Sequence, residues 1–156
     1  EAILHACGAL ALPVVIHGGR SPMFFIEHAR DFAILDNLAR VDWSASASNV
    51  VISHFGSYGF DHDELPGERA KLRTLLDRYS NLMTDTSGLP YHTLKVLLPD
   101  IDSDRILFGS DSLYVLMWQS VITLMCALDD AVQSRADEYF TRITNRNVRN
   151  VFGNAS

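Results

Sequence analysis

The chain has 156 residues, 47% of them hydrophobic, and a net charge of −6. This size predicts one domain over residues 1–156 with one core, and the acidic charge argues against nucleic-acid and anionic-membrane partners. The two cysteines, Cys7 and Cys126, lie in apolar surroundings typical of reduced core thiols. Because no run reaches the roughly 18 apolar residues of a membrane span either, we expect a cytoplasmic protein.

The first half of the chain alternates helix and strand signals. It opens on Glu1 inside what resembles the tail of a helix, so we expect that preceding residues are missing from this sequence. Continuous apolar runs predict buried strands, and apolar residues recurring every three or four positions predict an amphipathic helix. The predicted elements are a helix over 1–10, a strand over 12–17, a helix from about Phe24 to Val41 and a strand over 49–54.

The second half repeats the pattern. Pro66 and Pro90 suit the first turns of helices, and small or polar residues separate the segments. Met117, Trp118 and Met125 fall at helical spacing and are predicted to lie in the core. The predicted elements are a helix from 66 to about 79, a strand over 81–88, a short helix over 90–98, a strand over 105–111, a helix from about 113 to 131, and a helix from 136 with a break near Thr144 that ends at Gly153.

This alternation predicts an α/β fold with a parallel sheet, either open and doubly wound or part of a barrel. Both architectures place ligands at the carboxyl ends of the strands. Three of the predicted strands end in His17, His54 and Asp111. We therefore expect these three side chains to meet at one edge of the sheet.

Five short motifs follow one another along the chain: Pro13–Gly19, Val51–Gly56, Asp85–Gly88, Arg105–Asp111 and Asn145–Gly153. In this order and spacing they resemble the second half of the amidohydrolase-related, metal-dependent hydrolases and decarboxylases. The resemblance covers most of the chain. It implies that the four strands correspond to strands five to eight of a (β/α)8 barrel, so that the chain forms a half barrel.

The resemblance also implies roles for the residues at the strand ends. His17 corresponds to a metal ligand, and His54 to a second ligand or a residue that polarises the substrate. Asp111 corresponds to a ligand that also handles the proton of the metal-bound water. The implied cofactor is a divalent ion, most simply Zn²⁺, which lowers the pKa of its bound water to about 7.

The chain departs from the family pattern in one respect, since the His-x-His pair of the first strand has no counterpart here. A catalytic zinc ion usually takes three protein ligands, so His17 and Asp111 need His54 or another group. Strands one to four are also missing, and open sheet edges favour aggregation. We expect the other half to come from upstream sequence or, as a second choice, from another copy of the chain in a homo-oligomer; a rearranged fold is the third possibility.

The leading functional hypothesis is a metal-dependent hydrolase of a small organic substrate. In this mechanism Asp111 takes a proton from water and returns it to the leaving group, while His54 stabilises the oxyanion. Arg20 is the candidate for binding a substrate carboxylate. The alternatives are a decarboxylase of a small aromatic or unsaturated carboxylic acid, and an inactive remnant or oligomeric structural domain.

Two further polar residues have plainer interpretations. Asp85 lies on a predicted strand from which it could face the site, but Asp-Thr-Ser-Gly is also ordinary turn and capping chemistry. His62 lies in an acidic stretch that is more typical of an exposed loop than of a metal site. Neither residue is therefore included among the predicted catalytic groups.

Overall fold

Four parallel strands form a single sheet in the computed structural model, which describes residues 1–21 and 29–153. Their order in the sheet, β1-β2-β3-β4, is also their order in the chain, and each neighbouring pair is parallel. The four predicted strands are therefore confirmed, although each is shorter than expected. The strands are β1 (Val14–Ile16), β2 (Val50–Ile52), β3 (Leu82–Asp85) and β4 (Ile106–Leu107).

Helices alternate with these strands. Four consecutive β/α units in one parallel sheet are half of the eight that close a (β/α)8 barrel, so the predicted α/β half-barrel class is confirmed. Short 3₁₀ turns add to the connections, and one of them, Ser53–Gly56, follows β2 directly. The helices are α1 (Ala2–Ala9), α2 (Leu35–Leu38), α3 (Leu65–Arg78), α4 (Tyr91–Leu97), α5 (Met117–Val132), α6 (Ala136–Thr141) and α7 (Asn147–Phe152).

Strands β2, β3 and β4 are buried at every position because both faces of this part of the sheet are covered, whereas Val15 of β1 is exposed. The face formed by Val50, Ile52, Leu82 and Ile106 belongs to one large cluster with leucines of α3, α4 and α5. Each fully buried leucine or isoleucine contributes about 1.5–3 kcal/mol to folding. The opposite face contributes to a smaller cluster made of Val51, Met83, Leu107 and Val151, the last of these from α7.

The amphipathic helix predicted from Phe24 to Val41 is wrong over its described part, apart from the single turn α2. Residues 22–28 lie outside the described residues. Ala33 instead forms an antiparallel bridge with Gly19, whose N–H donates to the Ala33 carbonyl at 2.8 Å. An extended backbone at Ala33 is incompatible with a helix, so this pairing after β1 overrides the helical spacing of the apolar residues.

The predicted core positions on α5 are also wrong. Met117, Trp118 and Met125 are 60%, 59% and 50% exposed. Their spacing is helical, but α5 buries a different stripe, formed by Leu124, Ala127 and Leu128. Periodicity alone shows that a helix has an apolar face; it does not show that the described part of the chain covers that face.

Three smaller expectations have mixed outcomes. Both cysteines are free, but Cys126 is exposed and Cys7 half-buried, so their predicted core placement is wrong. The break near Thr144 is a π-helical turn, Arg142–Arg146, that leads straight into α7. Among the described residues, no helix combines the length and apolar character needed to cross a bilayer.

Candidate functional site

The carboxyl ends of the strands open onto a cavity of about 400 Å³. His17 follows β1, His54 follows β2 and Asp111 comes four residues after β4. Because the strands are parallel, their carboxyl ends lie at one edge, and the structure brings these three side chains to the same cavity. The lining residues are His17, His54, Tyr58, Gly88, Asp111, Tyr114 and Val115.

Two of these residues have left-handed backbones. His54 has φ 59° and is followed by Phe55 with φ 52°, while Asp111 has φ 53°. Such conformations cost roughly 1–2 kcal/mol per residue, so they persist only where neighbouring groups hold them. At His54 the backbone N–H donates to Asp85 Oδ1 at 2.9 Å, and the ring of Phe55 is fully buried. The turn thus aims the imidazole of His54 away from the direction of β2.

Glycine at position 18 lets the first two strand ends approach each other. A Cβ on Gly18 would lie 2.6 Å from the Ser53 carbonyl oxygen and 2.7 Å from the Cα of Gly56. No side chain fits there without movement of the backbone. As a result, the imidazoles of His17 and His54 lie side by side, with ring centroids 5.0 Å apart.

Glycine at position 88 makes room for the carboxylate. Gly88 has φ +62°, and a Cβ on it would lie 2.6 Å from Asp111 Oδ2. The loop after β3 therefore packs directly against the carboxylate that follows β4. This contact explains why a small residue ends the Asp-Thr-Ser-Gly stretch.

Hydrogen bonds to backbone carbonyls fix the tautomers of both histidines. A carbonyl oxygen only accepts, so Nε2 of His17, 3.2 Å from the Arg20 oxygen, carries a proton. For the same reason Nδ1 of His54, 2.7 Å from the Ser87 oxygen, carries a proton. When neutral, His17 therefore has its lone pair on Nδ1 and His54 has its lone pair on Nε2.

This arrangement has the donor chemistry of a divalent metal site. Metal-binding histidines characteristically donate their other ring N–H to a carbonyl or carboxylate, as both imidazoles do here. Two imidazoles and the carboxylate of Asp111 are also donors that zinc prefers. Within residues 1–21 and 29–153, however, no three such side chains are close enough together to hold an ion. The residues fit a metal by their chemistry, while their roles as ligands stay predictions.

The environment of His17 favours its neutral form. Burial lowers the pKa of His17 below its usual 6.5, and the nearby His54 adds to this effect. The bond to the Arg20 carbonyl and the charge of Asp111 act in the opposite direction but do not outweigh burial. Neutral imidazole is the form that binds a metal ion.

Arg20 does not join the residues that line the cavity. Its guanidinium makes a bidentate ion pair with Glu64, with N···O distances of 2.9 and 2.8 Å, and stacks 4.1 Å from the ring centroid of Phe60. The predicted role of Arg20 in binding a substrate carboxylate remains untested. To bind a substrate carboxylate, the guanidinium of Arg20 would have to leave its ion pair with Glu64.

Tyr58 is a lining residue that the sequence reasoning missed. Its ring centroid lies 5.7 Å from that of His17 and 5.1 Å from that of His54. It forms an aromatic wall beside both imidazoles. The available signal was the pair Gly56 and Gly59, whose left-handed backbones flank Tyr58 in the loop after a histidine-terminated strand.

Asp85 lies beneath the cavity and is not among its lining residues. It is buried, and its carboxylate accepts hydrogen bonds from the turn after β2 and the loop after β3. The contacts of Asp85 are therefore those of a turn and capping residue. His62 lies in an exposed loop, with its ring centroid 6.2 Å from that of His92, as the plainer interpretation predicted.

Comparison with known proteins identifies a family. A protein family described as amidohydrolase has a sequence model that matches residues 1–140, about nine tenths of the chain. A search of curated proteins finds no match. The match includes the turns that carry His17, His54 and Asp111.

Proposed function

The chain belongs to the amidohydrolase family, and on that premise we propose that it is a metal-dependent hydrolase of a small organic substrate. The observation that carries the proposal is the shared cavity lined by His17, His54 and Asp111. Both imidazoles have a lone-pair nitrogen set by a carbonyl bond on the other nitrogen. Once drawn closer together than they lie here, these residues would hold a divalent ion, most simply Zn²⁺, as a cofactor.

The chain's own residues supply the acid–base chemistry. A bound zinc ion lowers the pKa of its water to about 7. The carboxylate of Asp111 accepts the proton that the attacking water loses and returns it to the leaving group. The left-handed backbone of Asp111 and the absence of a side chain at Gly88 give this carboxylate its position.

The tautomer of His54 bears on its role. Neutral His54 carries its proton on Nδ1, so Nε2 can accept a proton or bind a metal but cannot donate to an oxyanion. Stabilising an oxyanion requires the imidazolium form. We therefore propose His54 as a ligand first and as an oxyanion donor only after protonation.

The lining residues favour an uncharged substrate. None of the described residues that line the cavity is an arginine or lysine, and Arg20 is paired with Glu64. Within the described part of the site, a substrate carboxylate would thus have the metal as its positive partner. This supports hydrolysis over decarboxylation of an aromatic or unsaturated acid, whose metal chemistry is otherwise similar.

A closed barrel is part of the proposal. The sheet face at β1 is partly open, with Val15 56% exposed, and α5 exposes Met117, Trp118 and Ile122. These apolar surfaces fit four further strands and their helices, from additional sequence or from a second copy. Light scattering distinguishes the two, because a second copy gives a dimer whereas the chain without its complement stays monomeric or aggregates.

Zinc titration of the chain tests the metal site. We expect binding that raises the free energy of unfolding by about 2.7 kcal/mol at a zinc concentration one hundred times the Kd. His17→Ala and Asp111→Asn should each abolish this stabilisation. The double variant H62A/H92A removes a second close histidine pair and should retain the stabilisation. Unchanged zinc binding in H17A and D111N would contradict the proposal.

The reaction type needs a second measurement. Zinc-loaded protein, with its barrel complete, is assayed against neutral amides, esters and lactones, and separately against aromatic carboxylic acids with detection of released CO₂. We expect turnover of the first group that D111N loses. Release of CO₂ without hydrolysis would show a decarboxylase, and inactivity towards both groups would support the inactive remnant.

A further inference from the structure

Asp85 is a buried carboxylate that the proposed chemistry does not use. It ends β3, is 8% exposed and lies under the cavity. Ser53 Oγ donates to its Oδ2 at 2.9 Å, while the backbone N–H groups of His54 and Ser87 donate to Oδ1 at 2.9 and 3.0 Å. The Ser87 hydroxyl also donates to Oδ1. A charge removed from water requires such partners, and here all of them belong to the two turns that carry the site.

One of these partners connects Asp85 to the imidazole of His54. The Ser87 hydroxyl has a single proton, which it donates to Asp85. Its oxygen, 2.9 Å from Nδ1 of His54, can then only accept. The Ser87 carbonyl accepts from the same nitrogen at 2.7 Å. Both partners of Nδ1 are acceptors, so the proton lies on Nδ1.

Without Asp85, nothing fixes the Ser87 hydroxyl as an acceptor of the Nδ1 proton of His54. The Ser87 hydroxyl becomes free to turn its proton towards Nδ1, which would then have to accept. The Ser87 backbone also loses the bond from its N–H that holds its carbonyl in place. A histidine released in this way returns to the Nε2–H form that an imidazole favours in water.

The backbone of His54 depends on the same carboxylate. His54 and Phe55 are both left-handed, and the His54 N–H donates to Asp85 Oδ1. Hydrogen bonds to a charged acceptor are stronger than those between neutral groups, so this bond offsets part of the strain of the left-handed turn. One carboxylate therefore contacts both the backbone of His54 and the serine that bonds its ring.

We propose that Asp85 is a positioning residue which, through Ser87, holds His54 in the Nδ1–H tautomer and presents the Nε2 lone pair at the cavity. The role of that lone pair in binding a metal ion rests on the proposed function, whereas the position of the proton on Nδ1 does not. The device resembles the support that carboxylates and carbonyls give to metal-binding histidines, with a serine interposed.

The tautomer is measured directly by NMR. The ¹⁵N-labelled chain is freed of metal with a chelator and studied at pH about 9, where a free imidazole is neutral. Long-range ¹H–¹⁵N correlations, assigned to His54 with the variant H54Q, distinguish the protonated nitrogen. We expect Nδ1–H in the wild type and a majority of Nε2–H in D85A.

Two serine variants form a matched pair. S87A and S53A each delete one hydroxyl that bonds Asp85, but only the hydroxyl of Ser87 contacts the His54 ring. S87A removes one of the two acceptors of Nδ1 and keeps the Ser87 carbonyl, so it should raise the Nε2–H fraction by less than D85A does and weaken zinc binding by about tenfold. S53A should leave both quantities as in the wild type. If circular dichroism shows that D85A does not fold, the comparison of S87A with S53A tests the proposal in its place.

The proposal is overturned by an Nε2–H wild type, by wild-type spectra in both D85A and S87A, or by equal changes in S87A and S53A. Equal changes would mean that the turn has merely loosened. A chain with Nδ1–H on His54 that binds no zinc contradicts the proposed function but not this inference. Zinc binding by a chain with Nε2–H contradicts this inference alone.

Discussion

At the amino ends of the strands, side-chain donors bond backbone carbonyl oxygens. The amide of Asn81 reaches the carbonyls of Trp43 and Ser46 at 2.8 and 3.0 Å. The amide of Asn147, on α7, reaches those of Ser103 and Ile106 at 2.6 and 2.7 Å. Each contact satisfies a buried carbonyl where a connection enters the sheet, and so contributes to stability.

At the carboxyl ends the same kinds of bonds hold strained backbone and orient side chains towards a cavity. Asp85 bonds the left-handed turn at His54, and carbonyls set the tautomers of His17 and His54. The bonds at the amino ends therefore stabilise the fold, whereas those at the carboxyl ends hold strained backbone and position the side chains of the site. Variants at the two ends should separate these contributions.

The largest loss of stability is expected from N147A at the amino end. It removes two bonds and leaves the carbonyls of Ser103 and Ile106 without that donor, which costs about 2–4 kcal/mol. Urea unfolding measures the loss, and N150A, an exposed asparagine on the same helix, is the control. Zinc affinity of the folded fraction should not change. A parallel loss of zinc affinity would show that contacts at the amino ends also affect the site, which contradicts the proposed difference between the two ends.

A smaller loss with a larger effect on the site is expected from G88A. The left-handed backbone costs about 1–2 kcal/mol with alanine, and the new methyl group displaces the Asp111 carboxylate. We expect zinc affinity to fall about tenfold or more. G59A places alanine at a similar φ of +74° without contacting Asp111, so it should lose stability but keep zinc affinity. Equal zinc affinities in the two variants would contradict the role of Gly88.

The smallest effect is expected from the ion pair between Arg20 and Glu64, in the loops at the carboxyl end. The hydrogen bond from Arg20 lowers the pKa of Glu64 below its usual 4.5, with a further contribution from the Asp61 N–H. The stabilisation is therefore present above pH 4.5 and is lost as the pH falls through the lower pKa of the folded state. Because both groups contact solvent, the effect is small.

Urea midpoints of the wild type and E64Q, measured from pH 7 to pH 2, check this expectation. The wild type should have the higher midpoint at pH 7, and the difference should close on acidification. D63N makes the same charge change in the same loop, at a carboxylate for which the described residues show no ion pair. A difference that stays constant with pH would show that the pair does not stabilise the fold.

The sequence alone determined the strands, their parallel arrangement and the edge at which His17, His54 and Asp111 meet. Apolar runs specify buried strands, and parallel strands put their carboxyl ends together whatever the connecting helices do. The five motifs also pointed to the family that the match over residues 1–140 shows. These features are local or follow from topology.

Only the tertiary structure decided which nitrogen of each histidine carries a proton, that Glu64 pairs with Arg20, and that Tyr58 flanks both imidazoles. It also decided which stripe of α5 is buried, and it replaced a predicted helix with the pairing of Ala33 and Gly19. Each of these depends on contacts between residues distant in the chain or on backbone pairing across a loop. Periodicity and motifs do not predict such contacts, because they describe the side chains of one segment and not the residues that pack against it.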